Sequence, residues 1–168
     1  MRKRIDRFIE DALGEFTRWY VDSAWLGKER DCVNMFAMNF LAKAVKPGAA
    51  ISELGQIRIE SPVPQPKGFA KITAAKDLVI WGNSFETAWD EEWNASHYPK
   101  AVLEWKIKRS GRRPDHFHRH DISWLSGFTS DYQNTFGYLI RVYDGPQGRA
   151  VDWAKVRGGA INGTNRRS

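Results

Sequence analysis

Lys76-Asp77-Leu78-Val79-Ile80-Trp81 and Ala101-Val102-Leu103-Glu104-Trp105-Lys106-Ile107-Lys108 are two strand-like runs that carry charge where a strand should be greasy. Side chains alternate along an extended chain, so Val102, Glu104, Lys106 and Lys108 share one face and Leu103, Trp105 and Ile107 the other. By the same rule Asp77, Val79 and Trp81 oppose Leu78 and Ile80. If the two runs pair as neighbours, Asp77 and Glu104 converge, with Lys106 one step along. Carboxylates that close repel and raise a pKa unless a cation lies between them. Mg²⁺ prefers such oxygen ligands and keeps several waters. A lysine beside it can orient or help deprotonate an attacking water, an arrangement suited to phosphodiester hydrolysis.

An Asp followed by Glu-x-Lys on two successive strand-like runs resembles the PD-(D/E)xK nuclease superfamily. Asp77 and Glu104-Trp105-Lys106 are the matching residues, with Lys76 standing where the name-giving proline would be. The resemblance implies a restriction-endonuclease-like fold, an α/β protein whose mixed sheet is flanked by helices in an αβββαβ core, here with an extra N-terminal helix. It implies Asp77 and Glu104 as metal ligands, Lys106 as the residue that positions the water, and Mg²⁺, or Mn²⁺ in its place, as cofactor. Many members add an acid from the helix before the sheet. Glu29 stands at that position, on the apolar stripe of its helix, and Asp31 is its competitor off the stripe. A carboxylate complementing the helix dipole is the plainer account of Glu29.

The rest of the chain fits around this stretch. Residues 4–20 carry Ile5, Phe8, Ile9, Ala12, Leu13, Phe16, Trp19 and Tyr20 at helical spacing. A second helix is expected from about Lys28 to Val45, before Pro47-Gly48. Gln56–Val63 alternates as a first strand ending at Pro62 and Pro64, with Gln56, Arg58 and Glu60 on one face. The second strand starts within Phe69–Thr73 and reaches Asp77. A loop over 82–100 precedes the third. Asp121 is a good N-cap for a helix to about Gln133, and Phe136–Tyr143 reads as the last strand. This order places the nuclease-like domain at 1–143, its core at about 25–143. Residues 144–168 are then a basic, Gly/Arg-rich C-terminal extension with a short strand or helix near Val151–Val156 and a flexible end.

The 168 residues carry a net charge of +6 and are 42% hydrophobic, enough for one folded domain and a bias toward polyanions. Residues 100–119 hold seven Lys/Arg against two acids and 141–168 six against two, whereas 84–98 hold four acids and no Lys/Arg. A basic rim beside an acidic pocket is the pattern of a metal-dependent nuclease. Lys108, Arg109, Arg112 and Arg113 lead into a basic turn suited to a phosphate backbone. DNA is the expected partner ahead of RNA, and oligomeric state stays open, with a homodimer among the options. His116, His118 and His120 alternate, a spacing that admits zinc but more readily solvation or phosphate contact. No apolar run approaches the ~20 residues of a membrane helix. No signal core follows the basic N-terminus, and the lone Cys32 fits a reducing cytoplasm. A second reading is a non-catalytic nucleic-acid-binding or assembly protein on the same fold, in which Glu104 and Lys106 form a buried ion pair near Asp77.

Overall fold

The computed structural model describes residues 2–167, and side chains from 5 to 166; Met1 and Ser168, the last residue of the C-terminal segment, lie outside them. Helix α1 (Arg2–Asp22) follows the expected periodicity and buries Ile5, Ile9, Leu13, Phe16 and Tyr20. Helix α2 (Glu29–Phe36) begins one residue after Lys28. It is α-helical for two turns only, continuing as a π-helical turn over Ala37–Leu41 and a 3₁₀ turn over Ala42–Ala44. Six strands follow as one mixed sheet in sequential order: β1 (Ile57–Pro64), β2 (Thr73–Ile80), β3 (Ala101–Lys108), β4 (Phe136–Gly145), β5 (Gly148–Arg157) and β6 (Ala160–Arg167). Helix α3 (Arg119–Asp131) connects β3 to β4, the one parallel pair; the other neighbours are antiparallel. A parallel pair needs such a crossover.

The sheet is covered on both faces. Helices α1 and α2 pack on Leu78, Ile80, Leu103, Trp105, Tyr138 and Ile140, and α3 packs on Val79, Trp81, Val102, Leu139, Ala154 and Val156. Phe16 and Phe36 both meet the Trp105 ring, at centroid distances of 5.4 and 5.3 Å. Burying several aromatics this way stabilises the α1–α2 layer by about 1.5–3 kcal/mol per side chain. No helix among the described residues is long and apolar enough to cross a membrane.

Three expectations need correction. Phe136–Tyr143 is not the last strand: β5 and β6 extend the sheet, and the segment read as an extension buries Val151, Ala154 and Val156 in the cores. The turn between them is Gly158-Gly159, both at positive φ, which only glycine adopts freely. Asp121 is not an N-cap but lies in the first turn of α3, with His118 at the cap position. Gln56 precedes β1 and ties loops together, accepting from Ser52 N and Glu53 N and donating to the Trp81 and Gly82 carbonyls. Strand β1 does end at Pro64, with Pro62 inside it; as a sheet edge it tolerates the missing donors.

The alternation of β1 and β2 also breaks at one place. Glu60 has φ +52°, and the β1–β2 ladder omits only the Glu60–Asp77 pair. Before the break Ile57 and Ile59 pack with α1 and α2; after it Val63 packs with α3 and Ser61 accepts from Trp81 Nε1. One left-handed residue turns the strand over. Lys76 consequently joins the α3 face, its Nζ lying 3.6 Å from the Trp124 ring centroid.

Candidate active site

Strands β2 and β3 pair over only three residues, Leu78 with Leu103, Val79 with Val102 and Ile80 with Ala101. Beyond Leu103 they part, while β3 keeps pairing with β4 through Lys108. The sheet therefore forks where Asp77 would have faced Glu104. In the fork Trp105 N has no strand carbonyl and donates instead to Asp77 Oδ2 at 2.7 Å. A charge-assisted bond of this kind fixes the carboxylate within the plane of the sheet.

Glu104 is buried on the α3 side, and Lys76 Nζ lies 2.5 Å from its Oε1. The contact with Oε1 is a charge pairing at an angle poor for a hydrogen bond. Burial raises the Glu104 pKa most, the Lys76 ammonium pulls it back, and the Asp77 carboxylate pushes it up again, to about 7. The ion pair expected between Glu104 and Lys106 is thus formed by Lys76, because the turn-over at Glu60 brings Lys76 to that face.

Lys106 leans elsewhere. Its ammonium donates to the Trp105 carbonyl at 2.8 Å and lies 3.6 Å from Glu29 Oε1 and 3.7 Å from Asp121 Oδ2. Burial lowers its pKa, but Asp121, Glu29, Asp77 and Glu104 together outweigh burial and raise it. Lys106 is a fixed cation at neutral pH, with 41% of its side chain still exposed.

Glu29 reaches this group from the first residue of α2, where Lys28 N donates to Asp31 Oδ2 at 2.7 Å. Asp31 is therefore spent on the helix end, and Glu29 is the acid directed at the site. Glu29 and Asp77 line a surface cleft with Lys28, Arg30, Ile59 and Glu60. Glu104, Lys106, His118, Asp121 and Arg141 line a second, smaller one on the α3 side. Glu29 and Asp77 thus line the cleft beside α2, and Glu104 and Lys106 the one beside α3.

Asp77, Glu104, Lys106 and Glu29 are thus brought together. Asp121 and His118, which the sequence reading used as a cap and as one of three alternating histidines, join them. The basic turn divides. Arg112 is exposed beside Asp115, and Arg109 lies 3.9 Å from Asp144. Lys108 is exposed at the end of β3. Arg113, however, is committed to the fully buried Asp152, which also pairs with Arg141 at 2.5 Å. A guanidinium held that way is a structural part and not a free phosphate ligand. No protein-family model matches the chain, and no curated protein or solved structure matches it either.

The residues fit a hard divalent cation. Among the described residues no group of three or more His, Cys, Asp or Glu is set to cage a metal. Mg²⁺ does not require a cage, since it is bound through one or two carboxylates with water and substrate phosphate completing its shell. Asp77 and Glu104 would supply such a pair, and a cation there would compete with the Lys76 ammonium that neutralises Glu104 Oε1.

Proposed function

We propose that this chain is a Mg²⁺-dependent nuclease of the PD-(D/E)xK type, hydrolysing nucleic-acid phosphodiester bonds. The observation that carries the proposal is the fork, which sets Asp77 beside the buried Glu104 with Lys106 at its mouth. The element order α2-β1-β2-β3-α3-β4, with β4 parallel to β3, supports the restriction-endonuclease-like core. Asp77 and Glu104 would hold the cation, which when bound supplies Lewis acidity and a more acidic water.

The chain's own residues do the rest. Lys106 stays protonated, so it acts as a cation that orients the water and offsets charge growing on the phosphate, and not as a base. Glu29 keeps the Lys106 ammonium from folding back wholly onto the sheet. Trp105 N holds Asp77 in one orientation, so no reorganisation is needed when substrate arrives. Arg112 and Lys108 supply exposed positive charge along the approach.

The test is an assay of purified protein on single- and double-stranded DNA and RNA, with Mg²⁺, Mn²⁺ or chelator. Metal-dependent cleavage abolished by Glu104→Ala supports the reading, and intact substrate under every condition sinks it. The Lys76–Glu104 pair favours one rival, a nucleic-acid-binding or assembly protein whose carboxylate is already neutralised. Under that rival, nucleic acid binds but is never cut, and Mg²⁺ leaves the melting temperature unchanged.

A further inference from the structure

We infer that Asp121 is the positioning residue of this site, holding Lys106 and His118 side by side as two N–H donors for one substrate phosphate. The inference rests on the nuclease reading and extends it to the α3 side of the fork. Asp121 is buried, and a buried carboxylate persists only when paired. A single oxygen, Oδ2, lies 3.7 Å from Lys106 Nζ and 3.5 Å from His118 Nδ1. Its two partners are both reachable from outside, with 41% and 57% of their side chains exposed. A buried anion under two accessible nitrogen donors faces its positive side outward.

The ring's orientation follows from this contact. With Nδ1 facing the Asp121 carboxylate, a ring protonated on both nitrogens gives its Nδ1–H to Asp121 and turns its Nε2–H toward a ligand oxyanion. The charged and titratable groups around the ring are Asp121 and His120 on α3, Lys106 and Glu104 on β3, and Arg141 on β4. Arg141 is itself fixed by Asp152 and donates to the His116 carbonyl at 2.7 Å, so the backbone two residues before His118 is anchored to the sheet. His118 therefore sits on a braced segment. The ligand class is an oxyanion of a phosphodiester, matched by two separate donors.

The experiment compares wild type with Asp121→Asn, Asp121→Glu and His118→Gln. Cleavage kinetics with Mg²⁺ are read beside the His118 imidazole resonance, titrated by NMR in chelator with and without inorganic phosphate. The expected result is a fall in kcat of about tenfold to a hundredfold for Asp121→Asn with little change in KM. The response of the His118 resonance to phosphate should weaken in that variant and recover in part in Asp121→Glu. In wild type the resonance should move with phosphate. His118→Gln alters an exposed side chain and should fold normally while cutting more slowly, which keeps the test open if Asp121→Asn is unstable. Wild-type cleavage with an unresponsive His118 and an unimpaired His118→Gln overturns the inference and leaves the nuclease standing. A phosphate-responsive His118 in a protein that never cuts removes the nuclease reading and keeps the oxyanion site.

Discussion

Trp105 N donates to Asp77 Oδ2 across the gap where β2 and β3 part, so one side chain takes the place of a missing ladder bond. Asp77→Ala should therefore cost stability as well as activity. An orphaned buried N–H and a lost charge-assisted bond amount to about 1.5–3 kcal/mol. Asp77→Asn keeps an acceptor and should recover most of that stability while staying inactive. Urea unfolding curves beside cleavage assays separate the two effects, and an active Asp77→Ala protein would falsify the assignment.

Metal binding should compete with protons at Glu104. Its folded pKa is about 7, so at pH 6 the carboxyl is mostly protonated and at pH 8 mostly ionised. The rise in melting temperature on adding Mg²⁺ should thus be larger at pH 8 than at pH 6, and proton release should accompany uptake. Equal shifts at both pH values would take Glu104 out of the ligand set.

The same group shapes stability without metal. Its pKa is raised on folding from 4.5 to about 7, so between those values the native state holds more protons than the unfolded one. Glu104 then contributes stability that is fully present below about pH 4.5 and lost as pH rises through about 7. Glu104→Gln should flatten that decline in metal-free buffer. A variant with an unchanged slope would mean that other groups set it.

The charge pattern of the loops gives a third contrast. Arg112→Glu should weaken nucleic-acid binding and reduce its salt dependence, with no loss of stability, because the side chain is exposed. Arg113→Glu should instead unfold more easily, since it sets a second anion against the buried Asp152. Binding titrations across salt, paired with melting curves, distinguish a phosphate contact from a structural brace. A stable Arg113→Glu protein with normal Asp152 packing would return Arg113 to the basic rim.

Strand alternation made Asp77, Glu104 and Lys106 legible in the sequence, and the periodicity of α1, α2 and α3 placed the helices within a few residues. Lys76 was not legible as the partner of Glu104, because nothing in Arg58-Ile59-Glu60-Ser61 announces that Glu60 takes a left-handed φ and turns the strand over. Asp121 misled for a different reason: an Asp near a helix start serves equally at the cap or in the first turn, and only the position of Lys106 decides. Strands β5 and β6 left a weak signal that was readable, a Gly158-Gly159 turn beside alternating Val151, Trp153 and Lys155. Basic, glycine-rich composition masked it, because the same residues also suit a tail.

Lys106→Ala separates mechanism from architecture. Its ammonium touches Glu29, Asp121 and the Trp105 carbonyl, yet much of the side chain is in water and little packing depends on it. The variant should keep the fold and still take up Mg²⁺ and nucleic acid, because Asp77, Glu104 and the basic turn are untouched. Cleavage should fall by about 10²–10³, the usual loss when one preorganised donor to a developing charge is removed. The raised pKa adds a second discriminator. A lysine protonated well above neutrality contributes no basic-limb pKa near 7 to the pH–rate profile, so Lys106→Arg should retain part of the activity and the shape of the profile. If Lys106 were the general base, arginine would be as inactive as alanine. The two variants, assayed from pH 6 to 9 with metal binding measured alongside, decide between a positioned cation and a proton acceptor. Unchanged cleavage in Lys106→Ala would remove this lysine from the chemistry.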